Sequence, residues 1–525
     1  MREASRYAPA AAQAATAQGR KPRDLRLDFF RGIAMFIILL AHTPGNTWTL
    51  WIPARFGFSD ATEIFVFCSG MASSLAFGAS FRTHGFGVGT ARIAFRVWQV
   101  YWCHIGMFLA ILALLWTADA QGWGDPEKVY VGTLPIVPFF EETGPALIGM
   151  LTLTWVPNYF DILPMYLVIL AMVPLVMAAH RIAGLAGAAA LVGGVWLATQ
   201  FGWADLPSRP WRPDIPWFFN PFGWQLVFFT GFFLGMGWVK APPVSRPLLW
   251  LAAAAVLLTI PFAWFQIHGA RYIPDAWLLH DWIADGRQNT RFFWRKTEQG
   301  LFRWAHFLAL AYLAWAWVGP EGRKLREGFA APGAASRAWL WAAGIVAVAT
   351  LPWAYLEEIK HYSPALDAAS IWLIGDGARA LLGFDLFVPG ERIGLLQLAH
   401  LIAMLVLIWA AIGPRRRAWL VGPGFLAAVP VIRKVGTQSL AVFLTSMILA
   451  RATGIWLDVV ERTTFTTATA NLAGFAILIA AAYGVGWFRA QPWRRKPAAP
   501  AEAAARTAGA APAPRAGGAL STPAE

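Results

Sequence analysis

The sequence predicts an all-α, polytopic integral membrane protein with 10–12 transmembrane helices and cytoplasmic N- and C-termini. Three observations predict it. Of 525 residues, 58% are hydrophobic and only 14% are charged, with a mean hydropathy of +0.50. Soluble domains carry roughly 25% charged residues, and a water-soluble fold of this size has no room for so much apolar side chain. Apolar runs long enough to cross a bilayer as helix recur along the chain. Lys and Arg also divide unevenly between alternate loops. Most fall on the side of the N-terminus, and most Asp and Glu fall on the other, the bias that sets orientation with the N-terminus inside.

The same numbers exclude other classes. Bulk disorder does not fit, nor does a disulfide framework, since Cys68 and Cys103 both lie in apolar stretches. A net charge of +14 would suit nucleic acid only if the basic residues gathered on one exposed module. They are dispersed, so the expected partner is the lipid bilayer and not nucleic acid.

Taken in order, residues 1–23 form an Ala-rich polar arm without the apolar core of a cleavable signal. The first run, 28–42, is short and carries Asp28 and Arg31, and it serves as the insertion signal. Further runs follow at 61–80, 91–116, 160–179, 183–201, 219–239, 247–267, 301–319, 338–355, 394–413, 434–452 and 470–489. Pro352 interrupts the ninth. Residues 145–157 are apolar but short, which suits a re-entrant or interfacial segment. Arg415-Arg416-Arg417 reads as a topology anchor. Residues 491–525 read as a disordered cytoplasmic tail, of Ala/Pro/Gly low complexity from Pro497 onward. The expected organisation is therefore an arm, one transmembrane domain over 24–490, and the tail. The outer loops 117–159, 202–218, 268–300 and 356–393 are long, aromatic and polar, as suits a substrate on that side.

Chemistry concentrates in residues 24–70. Ionisable residues in or beside a span are costly to place there and are functional candidates by default. Arg31 and His42 are eleven residues apart, about three helical turns, so they share a face roughly 16 Å apart along the axis. The guanidinium, toward the cytoplasm, suits an anion. The imidazole, toward the outer side, suits general-base work. Asp60 and Glu63 open the second span. Ser59 or Asp60 followed by Glu63 resembles a capping box. Alternatively, Glu63 orients and charge-stabilises His42, as the third member of a catalytic set does. Arg55 either binds a substrate carboxylate or sugar, or pairs with Asp60. Asp161 is a helix cap or a sugar-binding carboxylate. Asn220 and Gln225 either contact substrate or join helices. His306 reads as a packing residue. His104, His180 and His268 show no metal-ligand spacing, and no metal is expected.

The Arg-x10-His pair resembles the membrane-bound acyltransferase-3 superfamily. Within it, Arg26-Leu-Asp-Phe-Phe-Arg-Gly32, Phe56-Gly-Phe-Ser-Asp-Ala61 and Phe65-Val-Phe-Cys-Ser-Gly70 resemble the OpgC family, succinyltransferases of osmoregulated periplasmic glucans. So do Asp161-Ile-Leu-Pro-Met-Tyr166, Asn220-Pro-Phe-Gly-Trp-Gln225, His306-Phe-Leu-Ala-Leu-Ala-Tyr312 and Gly436-Thr-Gln-Ser-Leu440. The resemblance covers roughly 24–312 and 431–450. Residues 320–430 depart from it by added hydrophobic segments and the outer stretch 356–393. It implies a multi-pass protein of the bacterial inner membrane, with acyl-CoA (succinyl-CoA) as donor substrate, no permanently bound cofactor, and a periplasmic glucan as acceptor. On this resemblance His42 is the essential histidine and Arg31 its paired arginine. A succinyl group carries its own carboxylate and calls for an unpaired cation near His42, for which Arg55 is the candidate. The alternatives are an acetyltransferase acting on another surface glycan and, behind it, a transporter. The transporter fits poorly because the polar cluster sits in the first two spans without the paired repeats of transporters.

Overall fold

The computed structural model describes residues 24–212, 214–268, 278–330, 337–354 and 395–494. The expected arm, the outer stretch 356–393 and residues 495–525 of the tail lie outside the described residues. Helices of ten residues or more are α1 Leu25–His42, α2 Ala61–Ser73, α3 Ala79–Gln121, α4 Thr143–Thr152, α5 Ile162–Gln200, α6 Pro221–Met236, α7 Arg246–Ala263, α8 Leu278–Asn289, α9 Leu301–Val318, α10 Arg337–Ala354, α11 Leu395–Ala411, α12 Phe425–Thr437, α13 Ser439–Val460 and α14 Thr464–Ala490. Among the described residues there is no strand, only one isolated bridge between Pro207 and Pro216.

The ends of these helices follow local chemistry. Asp24 caps α1 by accepting from the Arg26 N–H at 3.0 Å, and Asn220 caps α6 just before Pro221. Asp60 and Glu63 form both halves of a capping box at α2, so the structural reading of that motif holds. Gly122 and Gly237 close α3 and α6 in the left-handed conformation.

Among the described residues, seven helical stretches are long and apolar enough to cross a membrane, against the ten to twelve expected of the whole chain. The difference has physical causes. The runs 61–80 and 91–116 belong to one continuous stretch, Ala61–Ala120. A π-helical turn at Ser74–Gly78 and a kink at Gly85 (φ 82°) bend it without ending it. The runs 160–179 and 183–201 likewise merge in α5, which bends at Ala183 and Gly184. Shorter apolar helices occupy 221–236, 337–351 and 399–411, and α1 carries the charges noted above. In the other direction, Gly413–Thr437 forms a 25-residue apolar stretch where a basic loop was expected. A π-helical turn at Leu420–Gly424 carries the helix past Pro423.

Helix α1 sits at the centre, packed against α2, α12 and α13, while α2 packs along α6. Glycines permit these contacts. A methyl group added at Gly436 of α12 would strike the Asp28 carbonyl of α1, and one at Gly32 would strike the Ile432 carbonyl. On the other side, Gly70 of α2 meets the Phe228 carbonyl, and Gly231 of α6 meets the Phe67 carbonyl. Gly231 and Gly235 are four residues apart, the small-residue spacing that lets membrane helices touch through their backbones. Around these crossings Met35, Phe65, Phe228, Phe232 and Phe443 build the main apolar core.

Candidate active site

The two poles of α1 have different surroundings. At the start, the buried Arg31 guanidinium donates from Nη1 to the Gly436 carbonyl (3.4 Å) and from Nη2 to the Cys68 carbonyl (3.3 Å). Its Nε is buried with no hydrogen-bond partner among the described residues. Arg31 thus stands where α1, α2 and α12 meet. At the other end, His42 Nδ1 lies 2.8 Å from the Ile38 carbonyl, one turn back along its own helix. A carbonyl only accepts, so Nδ1 carries the proton and Nε2 keeps its lone pair.

The His42 and Tyr159 rings make a T-shaped contact, with centroids 5.3 Å apart. Tyr159 is held in a left-handed backbone conformation (φ 92°), which is uncommon for a large side chain and costs conformational energy. Its hydroxyl donates to the Met447 carbonyl of α13 at 2.6 Å. One turn further along α13, the Arg451 guanidinium lies over the Tyr159 ring at 4.2 Å. The charged groups acting on His42 are Lys296, Arg451 and Asp60.

Lys296 organises the carboxylates beside this histidine. Its Nζ donates to Asp60 Oδ2 at 2.6 Å, and it is also the charge facing Asp161. Asp60 stands just outside the second span. Burial works to raise its carboxyl, but Lys296 and Arg303 outweigh it and hold the group well below the ordinary carboxylate range. The position of Lys296 is set by its backbone. Carbonyls 296 to 299 each accept a hydrogen bond, in order from Trp224 Nε1 (2.9 Å), the Asn220 N–H (3.1 Å), Gln200 Nε2 (2.7 Å) and Trp196 Nε1 (3.0 Å).

Several expected roles are corrected by these contacts. Glu63 does not reach His42. Arg303 donates to its Oε1 from Nη2 (2.6 Å) and Nε (2.9 Å), and the Asp60 N–H donates to its Oε2 (2.8 Å). A backbone carbonyl orients the histidine instead. Asp60 is likewise engaged by Lys296 and by its helix cap, so both carboxylates are held in place by structural partners. Arg55 makes no ion pair with Asp60. Its Nε donates to the Thr49 carbonyl at 3.2 Å, and the guanidinium lies 5.7 Å from the Phe265 ring centroid.

Asn220 is consumed structurally. Its Oδ1 accepts from the Phe222 N–H, and its Nδ2 donates to the Ala204 carbonyl and to Asp205. Gln225 Nε2 donates to the Val192 carbonyl at 2.8 Å and joins α6 to α5. Asp161 does not cap α5, although it occupies the capping position, and its Oδ2 is buried without a hydrogen-bond partner. His306 Nδ1 lies 2.7 Å from Ser59 Oγ, which ties α9 to the loop before α2.

Sequence reasoning missed Tyr159, Lys296, Arg303 and Arg451. Arg451 had a signal: it is a lone charge in an otherwise apolar run, the feature that singled out Arg31. The other three become visible only once distant segments meet.

The arrangement defines a class. It is a multi-pass helical membrane protein whose central helix carries a buried arginine in its first half and, at its last residue, a histidine with Nε2 left free by its own backbone. The chain matches the OpgC protein family over residues 23–335 and 331–490, and it belongs to that family. Searches of curated proteins and of solved structures returned no match. Family membership carries a glucan-modifying, acyltransferase-like function in general.

Proposed function

We propose that the protein is an O-acyltransferase of the bacterial inner membrane. It moves a succinyl group from cytoplasmic acyl-CoA to a glucose hydroxyl of a periplasmic glucan. The observation that carries this reading is the tautomer of His42. With Nδ1 committed to the Ile38 carbonyl, Nε2 is the free base. It takes the proton from the sugar hydroxyl as that oxygen attacks the thioester carbonyl. The tetrahedral intermediate then collapses, the C–S bond breaks, and the departing thiolate recovers the proton from the imidazolium. One base and one positioned thioester suffice, without an acyl-enzyme.

Arg31 supports the donor end. Two of its five N–H groups are engaged by carbonyls, so others remain for the CoA side of the substrate. The rise from Arg31 to His42, about 16 Å, is of the order of an extended pantetheine arm. On the acceptor side, the free Asp161 oxygen suits a sugar hydroxyl as donor. Both termini lie in the cytoplasm on the distribution of Lys and Arg.

The test is His42→Ala in cells that make the glucan. Mass spectrometry of periplasmic glucans is expected to show loss of the acyl group, while immunoblotting shows unchanged protein in the membrane. Unaltered acyl content with the variant at normal level would sink the mechanism.

A further inference from the structure

Several cations lie on the segments around His42, and most are already paired. Lys296 is bound to Asp60 at 2.6 Å. Arg303 is bound to Glu63 at 2.6 Å and lies 3.6 Å from Asp60. Arg462, just past the end of α13, is bound to Asp458 at 2.6 Å. Arg451 differs. It makes no ion pair with any carboxylate among the described residues, and its Nε is buried without a hydrogen-bond partner. What holds it is the face of Tyr159. Arg451 is half-buried, and a ring face offsets only part of the cost of drawing a guanidinium out of water. A cation kept in this state, one aromatic ring away from the catalytic imidazole, is suited to receive an anion that arrives with the substrate.

We propose that Arg451 binds the free carboxylate of the acyl group and so selects a dicarboxylic acyl donor over a neutral one. The inference rests on the acyltransferase reading and deepens it. Tyr159 touches both groups: His42 makes a T-shaped ring contact with it and the Arg451 guanidinium lies over its ring. In an extended succinyl group the thioester carbon and the carboxylate carbon are about 4 Å apart. The acyl chain can therefore lie along Tyr159 with its reacting carbon beside His42 and its carboxylate on the guanidinium. The planar fork of Arg451 matches a carboxylate in two-point fashion. Met447, whose carbonyl anchors the Tyr159 hydroxyl, lies one turn before Arg451 on α13, so ring and cation are fixed by the same helix.

The test uses the full-length purified enzyme and its glucan, with succinyl-CoA compared against butyryl-CoA, a neutral donor of the same chain length. The variants are Arg451→Gln and Arg451→Lys. The wild type is expected to prefer succinyl-CoA. Arg451→Gln should lower kcat/KM for succinyl-CoA by about 100-fold while changing butyryl transfer less than about threefold. Arg451→Lys should restore part of succinyl transfer. Butyryl transfer serves as the control for folding.

Equal losses with both donors would assign Arg451 a structural role and overturn the inference. So would unchanged succinyl transfer in Arg451→Gln. Transfer of butyryl by the wild type without preference for succinyl overturns this inference and leaves the acyltransferase reading intact. Failure of the wild type to transfer either group overturns both.

Discussion

Glu63→Gln separates a structural carboxylate from a catalytic one. Glu63 is fully buried. It accepts two hydrogen bonds from Arg303, at 2.6 and 2.9 Å, and one from the Asp60 N–H at 2.8 Å. Removing one partner of a buried pair costs about 3–5 kcal/mol. Two features move this case to the lower end. Gln retains an oxygen that Arg303 can reach, and Asp60 stands 3.6 Å from the same guanidinium. Against that, the new amide can face the Asp60 N–H donor to donor.

The expected loss for Glu63→Gln is about 3 kcal/mol of folding stability, or roughly a hundredfold in the unfolding equilibrium. Unfolding titrations with SDS in mixed micelles measure it. Adding Arg303→Met should cost less than the sum of the single changes, because the guanidinium is no longer stranded. Turnover per folded molecule should stay within about threefold of the wild type. Wild-type unfolding combined with a turnover reduced about a hundredfold or more would refute the argument and return Glu63 to the chemistry.

Two other perturbations test the frame around the site. Because Lys296 and Arg303 hold the Asp60 carboxyl low, its contribution to stability is complete above the ordinary carboxylate range, near about pH 4, and is lost as the pH falls below it. Lys296→Met should raise the pH at which acid unfolding begins, as followed by circular dichroism in detergent. Gly436→Ala should destabilise by about 1–3 kcal/mol, because the added methyl meets the Asp28 carbonyl. Gly484→Ala, which meets nothing, should be neutral or stabilising by up to about 1 kcal/mol. Melting midpoints of the two variants side by side decide the point.

The helical content was legible because hydropathy is a local property, and the apolar runs fall on helices. Their continuity was not. Gly85 and Gly184 look like places where spans end, yet a π turn and a kink let one helix continue through both regions. Within the site, Arg31 and His42 were legible because a single helix fixes their spacing, and the Asp60–Glu63 cap because its motif spans four residues. The partners Lys296 and Arg303 lie 236 and 240 positions from the carboxylates they bind, where no sequence period reaches. Arg55 was the cation named near His42 because no local sign marks Arg451 of a late helix, whose guanidinium lies over the Tyr159 ring beside His42. The Asn220 and Gln225 side chains were ambiguous because the same amide serves a substrate or a neighbouring helix; the structure engages both ends of the Asn220 amide, whereas Gln225 joins α5 through Nε2 and keeps a buried Oε1 without a partner.

The segment 296–299 has a consequence for how this protein tolerates change. Loops at a membrane surface ordinarily accept insertions and sequence drift. This one has every carbonyl claimed by a buried donor from another element, so it is built like core. A single residue inserted there would shift four acceptors out of register and carry Lys296 away from Asp60. The permissive sites for tags, fluorescent inserts or library diversification are therefore elsewhere on the surface, and residues 296–299 are the segment to leave untouched.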